Sequence, residues 1–481
     1  MTSNSGHAGP PPAGHPDGSE HAGAGTGLLT DHYELTMLRA ALRSGAARER
    51  AVFEVFARHL PNGRRYGVVA GTGRLLDALQ RFRFGEAELK FLHDNGVADT
   101  ATLRYLESYT FTGDMWGYAE GDCYFPGSPI LVVEGTFAEA VILETVVLSI
   151  LNHDCAIASA ASRMVTAADG RPLIEMGSRR THELAAVASA RAAYLAGFAS
   201  TSNLRAGQDF GIPTSGTSGH AFSLAHDSER EAFSAQLASL GTGTTLLVDT
   251  YDVAAAVRTA VELAGAQLGA VRIDSGDLPV VARQVRTLLD SLGAPQTRIV
   301  LTGDLDEYSI AALAATPVDG YGVGTSLVTG SGAPTAALVY KLVARAQGGA
   351  ASAPLRPVAK RSVGKPGRGG RKWALRRRDA NGAAAAELVL TKQPDPPGNL
   401  QPGDPYDLRP GGPSGPGPGI RAGDRVLLRQ LVSGGEIVGA EPLDAARARH
   451  RAAVAELPAH ALQLSRGYPA IPTIFSPDAR S

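Results

Sequence analysis

The segment Gly216-Thr217-Ser218-Gly219-His220 sets one imidazole among glycines and small hydroxyl side chains. Such neighbours leave a ring nitrogen accessible, and a neutral imidazole serves as nucleophile or general base near neutral pH. A solvent-facing loop histidine fits the same residues. A second segment, Arg272-Ile273-Asp274-Ser275-Gly276-Asp277, joins a guanidinium fork to two carboxylates. The fork suits a carboxylate or phosphate, and Asp274 with Asp277 beside phosphates suits Mg²⁺, which takes oxygen ligands; an internal ion pair fixing a turn is the alternative. Gly322-Val323-Gly324-Thr325-Ser326 is a small-residue turn whose backbone N–H groups can nest an anion. It matches neither the P-loop nor the dinucleotide fingerprint. Arg179 and Arg180 add two more cations.

These residues must be carried by elements that bring them together. From about residue 170, seven short apolar runs (172–175, 198–201, 212–214, 245–249, 271–274, 298–302 and 321–323) alternate with helical stretches. The alternation predicts a parallel sheet with crossover helices, closed as a barrel or open and doubly wound. The later runs end in polar or small residues: Asp249 and Thr250, Asp274 and Ser275, Thr302 and Gly303, then Gly324 to Ser326. In a barrel such strand ends converge on one face, although Asp, Ser and Gly also serve simply as turn formers. Residues 28–155 mix strands and helices irregularly. A helix is expected from Thr30 to Gly45, strands at 52–56 and 129–135, helices at 73–82 and 86–93, and a further helix ending near Leu151. Residues 1–27, rich in Gly, Pro, Ala and His, read as a disordered tail. Its His7, His15 and His21 are a metal tract or an unstructured leader. After about 350, Lys360 to Arg378 holds nine Lys and Arg in nineteen residues. A Pro/Gly-rich stretch at 394–419 reads as a flexible loop, residues 425–432 as a strand, 443–456 as a helix, and 464–475 as irregular.

Taken as an ordered set, these motifs resemble the nicotinate phosphoribosyltransferase family. The resemblance rests on Leu28-Leu29-Thr30-Asp31-His32-Tyr33, Glu175-Met176-Gly177-Ser178-Arg179-Arg180, Thr201 to Gly207, Gly216 to His220, Arg272 to Leu278 and Gly322 to Thr329. It implies an irregular α/β barrel of the quinolinate phosphoribosyltransferase type over 156–350. It also implies a second α+β domain built from both chain ends, with 28–155 packed by 351–481. The implied reaction joins nicotinate to 5-phosphoribosyl 1-pyrophosphate and couples ATP hydrolysis through a phosphohistidine, with Mg²⁺. The same resemblance implies His220 as the phosphorylated residue and Asp274 at the ribosyl centre. It implies Tyr33 and Thr217 as nicotinate contacts, Tyr33 reaching across a homodimer interface, and Arg272 against the carboxylate or a phosphate. Arg179 lies beside the substrates, Gly303, Gly324 and Thr325 form a phosphate cradle, and Lys360, Ser362 and Lys365 hold further phosphates. Met176 stands where relatives often carry phenylalanine, and Ala221 follows the histidine where many carry serine. Ser202 replaces the aspartate of nicotinamide-using relatives, which favours the acid over the amide.

The whole-chain properties narrow the rivals. The 481 residues carry 46 Lys plus Arg against 47 Asp plus Glu, a net charge of −1. No global field for nucleic acid or an anionic membrane follows from that balance. At 44% hydrophobic residues the chain can bury a large core. The two cysteines, Cys123 and Cys155, make neither a disulfide scaffold nor a zinc site. With no membrane span and no signal core, a cytoplasmic protein is expected. A Schiff-base barrel enzyme would need a barrel lysine, and 170–340 has none. A nicotinamide-using enzyme, or a nucleic-acid-binding protein employing residues 360–378, remains as the alternative.

Overall fold

A computed structural model describes residues 25–347, 353–360, 367–391, 421 and 423–476. The proposed loop at 394–419, Ser362, Lys365 and residues 1–24 lie outside the described residues. Within the expected tail of 1–27, Thr26 is buried, its backbone N–H donating to the Arg81 carbonyl at 2.8 Å and its hydroxyl to the Ala78 carbonyl at 2.7 Å.

Six parallel strands carry the barrel-like half: Leu173–Glu175 (β1), Ser200–Thr201 (β2), Thr245–Leu247 (β3), Ala270–Ile273 (β4), Arg298–Leu301 (β5) and Gly320–Val323 (β6). They pair in the order β2-β1-β6-β5-β4-β3. Apart from β2 and β3, which form the two edges, chain neighbours are sheet neighbours, and the last strand pairs with the first. A single parallel bridge, Thr201 to Thr214, extends the β2 edge. Among the described residues no pairing joins that edge to β3, so the sheet curls as a half-barrel with one open seam. The seven expected runs are thus six strands and a bridge. Leu246, Val271, Ile273, Ile299, Leu301, Tyr321 and Val323 are all buried. Both faces of the sheet are covered, as βαβ crossovers require, which is why these runs read as continuously apolar. The polar residue one turn beyond several strands caps the following helix: Asp252 accepts from Ala255 N–H at 2.7 Å, Asp277 from Val280 N–H at 3.3 Å and Asp306 from Ser309 N–H at 2.8 Å.

The rest of the molecule is organised on a seven-stranded sheet drawn from both ends of the chain. Its centre pairs Arg50–Ala57 with Leu131–Thr136 on one side and Leu338–Arg345 on the other. The strand 338–345 therefore leaves the barrel segment assigned to 156–350. Equally, a boundary at 155/156 falls inside one continuous helix, Glu144–Ala168. The expectation that this helix ends near Leu151 fails because residues 155–164 are buried on nearly every side. An Ala/Ser-rich helix enclosed all round has no apolar stripe to read. Likewise the tail expected to be irregular contributes a strand, Thr473–Phe475, parallel to Ala384–Leu390.

Within the described part of the basic run, residues 371–377 form interior structure. Its strand Trp373–Arg378 and the residues before it place Arg371 on Glu134 at 2.8 Å, Lys372 on Glu54 at 2.9 Å, Arg376 on Glu387 at 2.6 Å and Arg377 on Asp424 at 2.7 Å. Arg376 and Glu387 are both fully buried. A charge in that setting persists only with its partner. Replacing Glu387 by Ala is expected to cost about 3–5 kcal/mol by stranding Arg376; urea unfolding showing less than about 1 kcal/mol of loss would contradict this pairing.

The helix His32–Ser44 (α1) is stopped by Gly45 at φ 85° and docks on the start of Glu144–Ala168 (α2) through Glu34. The Glu34 carboxylate accepts from Thr145 N–H at 3.0 Å, from the Thr145 hydroxyl and from the Thr30 hydroxyl at 2.5 Å. Burial nevertheless pushes Glu34 up to about 7 from the ordinary 4.5. The folded state then holds this proton more tightly than the unfolded chain. Its contribution is fully present below about pH 4.5 and is lost as pH rises through about 7. Relative to wild type, Glu34→Gln should therefore be more stable at pH 8 than at pH 5 by roughly 1–3 kcal/mol, read from urea unfolding at the two values. A difference that does not change with pH would contradict the shift.

Candidate functional site

One cavity of about 700 Å³ opens at the C-terminal ends of the parallel strands. That volume suits a small-molecule ligand. Its wall brings together His220, Asp274, Arg272, Arg179, Ser202, Thr217, Gly303, Gly324 and Thr325, the residues expected from separate strand ends. Three expected residues are placed differently. Asp277 does not line the cavity, because its carboxylate is the helix cap described above. Lys360 is exposed and away from the cavity wall. Ser362 and Lys365 lie outside the described residues. Tyr33 sits on α1, about 43% exposed, and does not line the cavity of its own chain. Its phenol is held above the ordinary value by partial burial and by the neighbouring Glu144 carboxylate.

The open seam of the sheet is where the imidazole enters. The loop 215–219 leaves the Thr214 edge, and His220 starts the short helix His220–Leu224. His220 Nε2 lies 3.2 Å from Asp249 Oδ1 just beyond β3, with the imidazole 41% exposed and the carboxylate 1% exposed. A carboxylate only accepts, so Nε2 carries the proton, and in the neutral ring Nδ1 keeps its lone pair. The other Asp249 oxygen accepts from Asp274 N–H at 2.8 Å and from the Ser275 hydroxyl at 2.7 Å, tying the end of β3 to the end of β4. Asp249 is the residue that the sequence leaves without a role. Its signal is position: it directly follows a buried strand, three residues ahead of the capping Asp252.

Around it, the groups are poised for anions. Arg272 Nη1 donates to the Thr217 hydroxyl, while Arg272 Nε is buried without a hydrogen-bond partner. Burial pushes the Arg272 guanidinium below its ordinary value; Asp274 and Asp249 oppose this and nearby Arg179 adds to it. An anion here would satisfy the orphaned donor and restore the balance. Arg179 and Arg180 are exposed on the same wall. Asp274 is oriented by the Thr302 hydroxyl. Glu175, fully buried at the end of β1 and raised by that burial, binds Gly177 N–H and the Thr201 hydroxyl at 2.5 Å, while its carbonyl accepts Ser202 N–H at 2.8 Å. It holds two strand-end turns in register; a glutamate inside an apolar run was its sequence signal. Asp304, in the left-handed region at φ 41°, also lines the cavity.

No cluster of three or more His, Cys, Asp or Glu able to hold a metal exists among the described residues. A Mg²⁺ ion fits only in the manner usual for this ion, with one or two carboxylates such as Asp274 and the remaining ligands from phosphate and water.

Backbone clearance also shapes the site. Gly303 has φ 110°, and a Cβ there would fall 2.5 Å from the Asp274 carbonyl oxygen. Gly303→Ala should cost more than about 1 kcal/mol in urea unfolding and displace the Asp274 strand end. Wild-type stability in that variant would refute the close approach.

Comparison with known proteins identifies relatives over most of the chain. Residues 28–152 match the family model described as nicotinate phosphoribosyltransferase (NAPRTase) N-terminal domain. A nicotinate phosphoribosyltransferase of Mycobacterium tuberculosis is 56% identical over 97% of this chain and 99% of its own length. One from Bos taurus is 30% identical over 66% of this chain and 71% of its own. The crystal structure of human nicotinic acid phosphoribosyltransferase superposes with a TM-score of 0.77 at 26% identity, covering 94% of this chain and 98% of that one. A nicotinate-nucleotide pyrophosphorylase structure from Pyrococcus furiosus, at 24% identity and a TM-score of 0.68 over 92% of this chain and 96% of that one, shares the fold. Among the described residues, no helix is long and apolar enough to cross a membrane.

Proposed function

The chain belongs to the nicotinate phosphoribosyltransferase family, and from that premise we propose that it joins nicotinate to 5-phosphoribosyl 1-pyrophosphate, releasing nicotinate mononucleotide and pyrophosphate. The observation that carries the proposal is the convergence of His220, Arg272 and Thr325 on one cavity from three separate segments of the sequence. The ring nitrogen attacks the anomeric carbon as pyrophosphate departs, and the ribosyl centre gains positive character that the Asp274 carboxylate stabilises. Arg272, with its unfilled Nε donor, takes the nicotinate carboxylate or the adjacent phosphate. Gly324 and Thr325 cradle the 5′-phosphate, and Arg179 adds charge beside it. A Mg²⁺ ion, when bound, would offset charge on the leaving group, with Asp274 as its protein ligand.

ATP enters through His220. Nδ1 attacks the γ-phosphorus, the bond to the bridging oxygen breaks, and ADP leaves; the Nε2 proton stays in its hydrogen bond to Asp249. Hydrolysis of the phosphohistidine later releases phosphate. The exposure of Tyr33, remote from its own cavity, supports a homodimer in which it completes the partner's site. A cytoplasmic location accords with this chemistry. Against the nucleic-acid reading, the described cations of residues 371–377 pair internally.

The direct assay incubates the protein with nicotinate, the activated ribose donor, Mg²⁺ and ATP and looks for the mononucleotide; its absence would refute the reading. His220→Ala should retain slow transfer but lose ADP release coupled to it, measured as ADP formed per mononucleotide. Ser202→Asp places a carboxylate on the wall and should raise the KM for nicotinate roughly ten- to a hundredfold by like-charge repulsion. Unchanged nicotinate kinetics in that variant would remove the argument for the acid over the amide.

A further inference from the structure

The cavity wall is made almost wholly of glycines, hydroxyls and charged groups. Among the described residues Met176 and Ala221 are its only apolar side chains, and no described Phe, Tyr or Trp joins them. A flat heteroaromatic ring bound there has a single large apolar surface to lie against within the chain, the Met176 thioether. The backbone of Met176 is fixed, its N–H donating to the Val323 carbonyl at 2.8 Å. Its side chain lies directly on β6 where residue 322 has none. A Cβ built on Gly322 would fall 2.7 Å from Met176 Sδ, 3.1 Å from its Cε and 2.6 Å from Thr302 Cγ2. The thioether thus occupies a slot that exists because position 322 is glycine.

Resting on the functional reading above, we propose that Met176, seated in the Gly322 slot, is an adjustable wall that sets which ring sizes are accepted, so that the substrate class extends to pyridine-3-carboxylates bearing a small ring substituent. Three rotatable bonds and a polarisable sulfur let methionine reshape around a ring while keeping contact with it. A rigid aromatic wall, or a side chain filling the slot from beneath, removes that freedom.

The test compares kcat/KM for nicotinate and 5-methylnicotinate in wild type, Met176→Phe, Gly322→Ala and the double variant Gly322→Ala/Met176→Ala, with thermal unfolding as the check on folding. Wild type should use the methylated acid within about tenfold of nicotinate, the scale on which one methyl group is discriminated. The ratio of methylated to unsubstituted acid should fall about tenfold or more in Met176→Phe and in Gly322→Ala, and should recover in the double variant, where the slot is filled but the thioether is gone. If Gly322→Ala does not fold, Met176→Phe set against Met176→Ala carries the comparison. A ratio unmoved in Met176→Phe, or a wild type that turns over nicotinate but refuses the methylated acid, overturns the adjustable wall and leaves the functional reading standing. Failure of wild type to use nicotinate at all overturns both.

Discussion

A parallel sheet with an open seam has to hold its strand ends in place by something other than its ladder. In this chain the Asp249 carboxylate does so. One oxygen takes the His220 imidazole across the seam and the other takes the backbone and side chain at the end of β4. A nearly solvent-free carboxylate with three donors is costly to disturb, because without them its buried oxygens would be left unsatisfied. The same contact decides which imidazole nitrogen is protonated. Loop position, strand register and tautomer are therefore set together, and the phosphoryl-accepting role proposed for His220 depends on all three.

The strand-to-helix turns divide polar residues by distance from the strand. Those immediately after it, Asp249, Asp274 and Thr302, bind one another or face the cavity. Those a turn later, Asp252, Asp277 and Asp306, cap helices. Glycines then decide how closely the turns approach. Gly303 lets β5 reach the Asp274 carbonyl, and Gly177, where a Cβ would meet Val328 Cγ1 at 2.2 Å, lets the β1 turn sit on the helix that follows Gly324. Charge and clearance together produce a cavity rich in donors for anions and poor in apolar surface, which is why a lone methionine acquires such weight there.

Much of this was legible in the sequence. Strands bounded by helices and ending in Asp, Thr and Gly are a local pattern, and the convergence of those ends follows from parallel topology. Asp274 and Asp277 show where the local pattern stops: both follow the same strand, yet only three-dimensional direction separates a cavity carboxylate from a cap. The internal pairing of the basic residues 371–377 was not legible because their partners, Glu54, Glu134, Glu387 and Asp424, come from elsewhere in the chain and nothing local announces them. Helix α2 ran past its expected end because an alanine-rich helix buried on all sides carries no periodic signal. The roles of Glu34 and Asp249 were not legible for a related reason: each acts through donors on other elements.

The most direct test of the central claim is the phosphorylation of His220 in an Asp249→Ala variant, read by peptide mass mapping after incubation with ATP and Mg²⁺. With the carboxylate gone, Nε2–H has no acceptor and the loop no anchor across the seam, so a folded variant should carry little or no phosphate at residue 220 while wild type carries one. Wild-type occupancy at that histidine in Asp249→Ala would contradict the account.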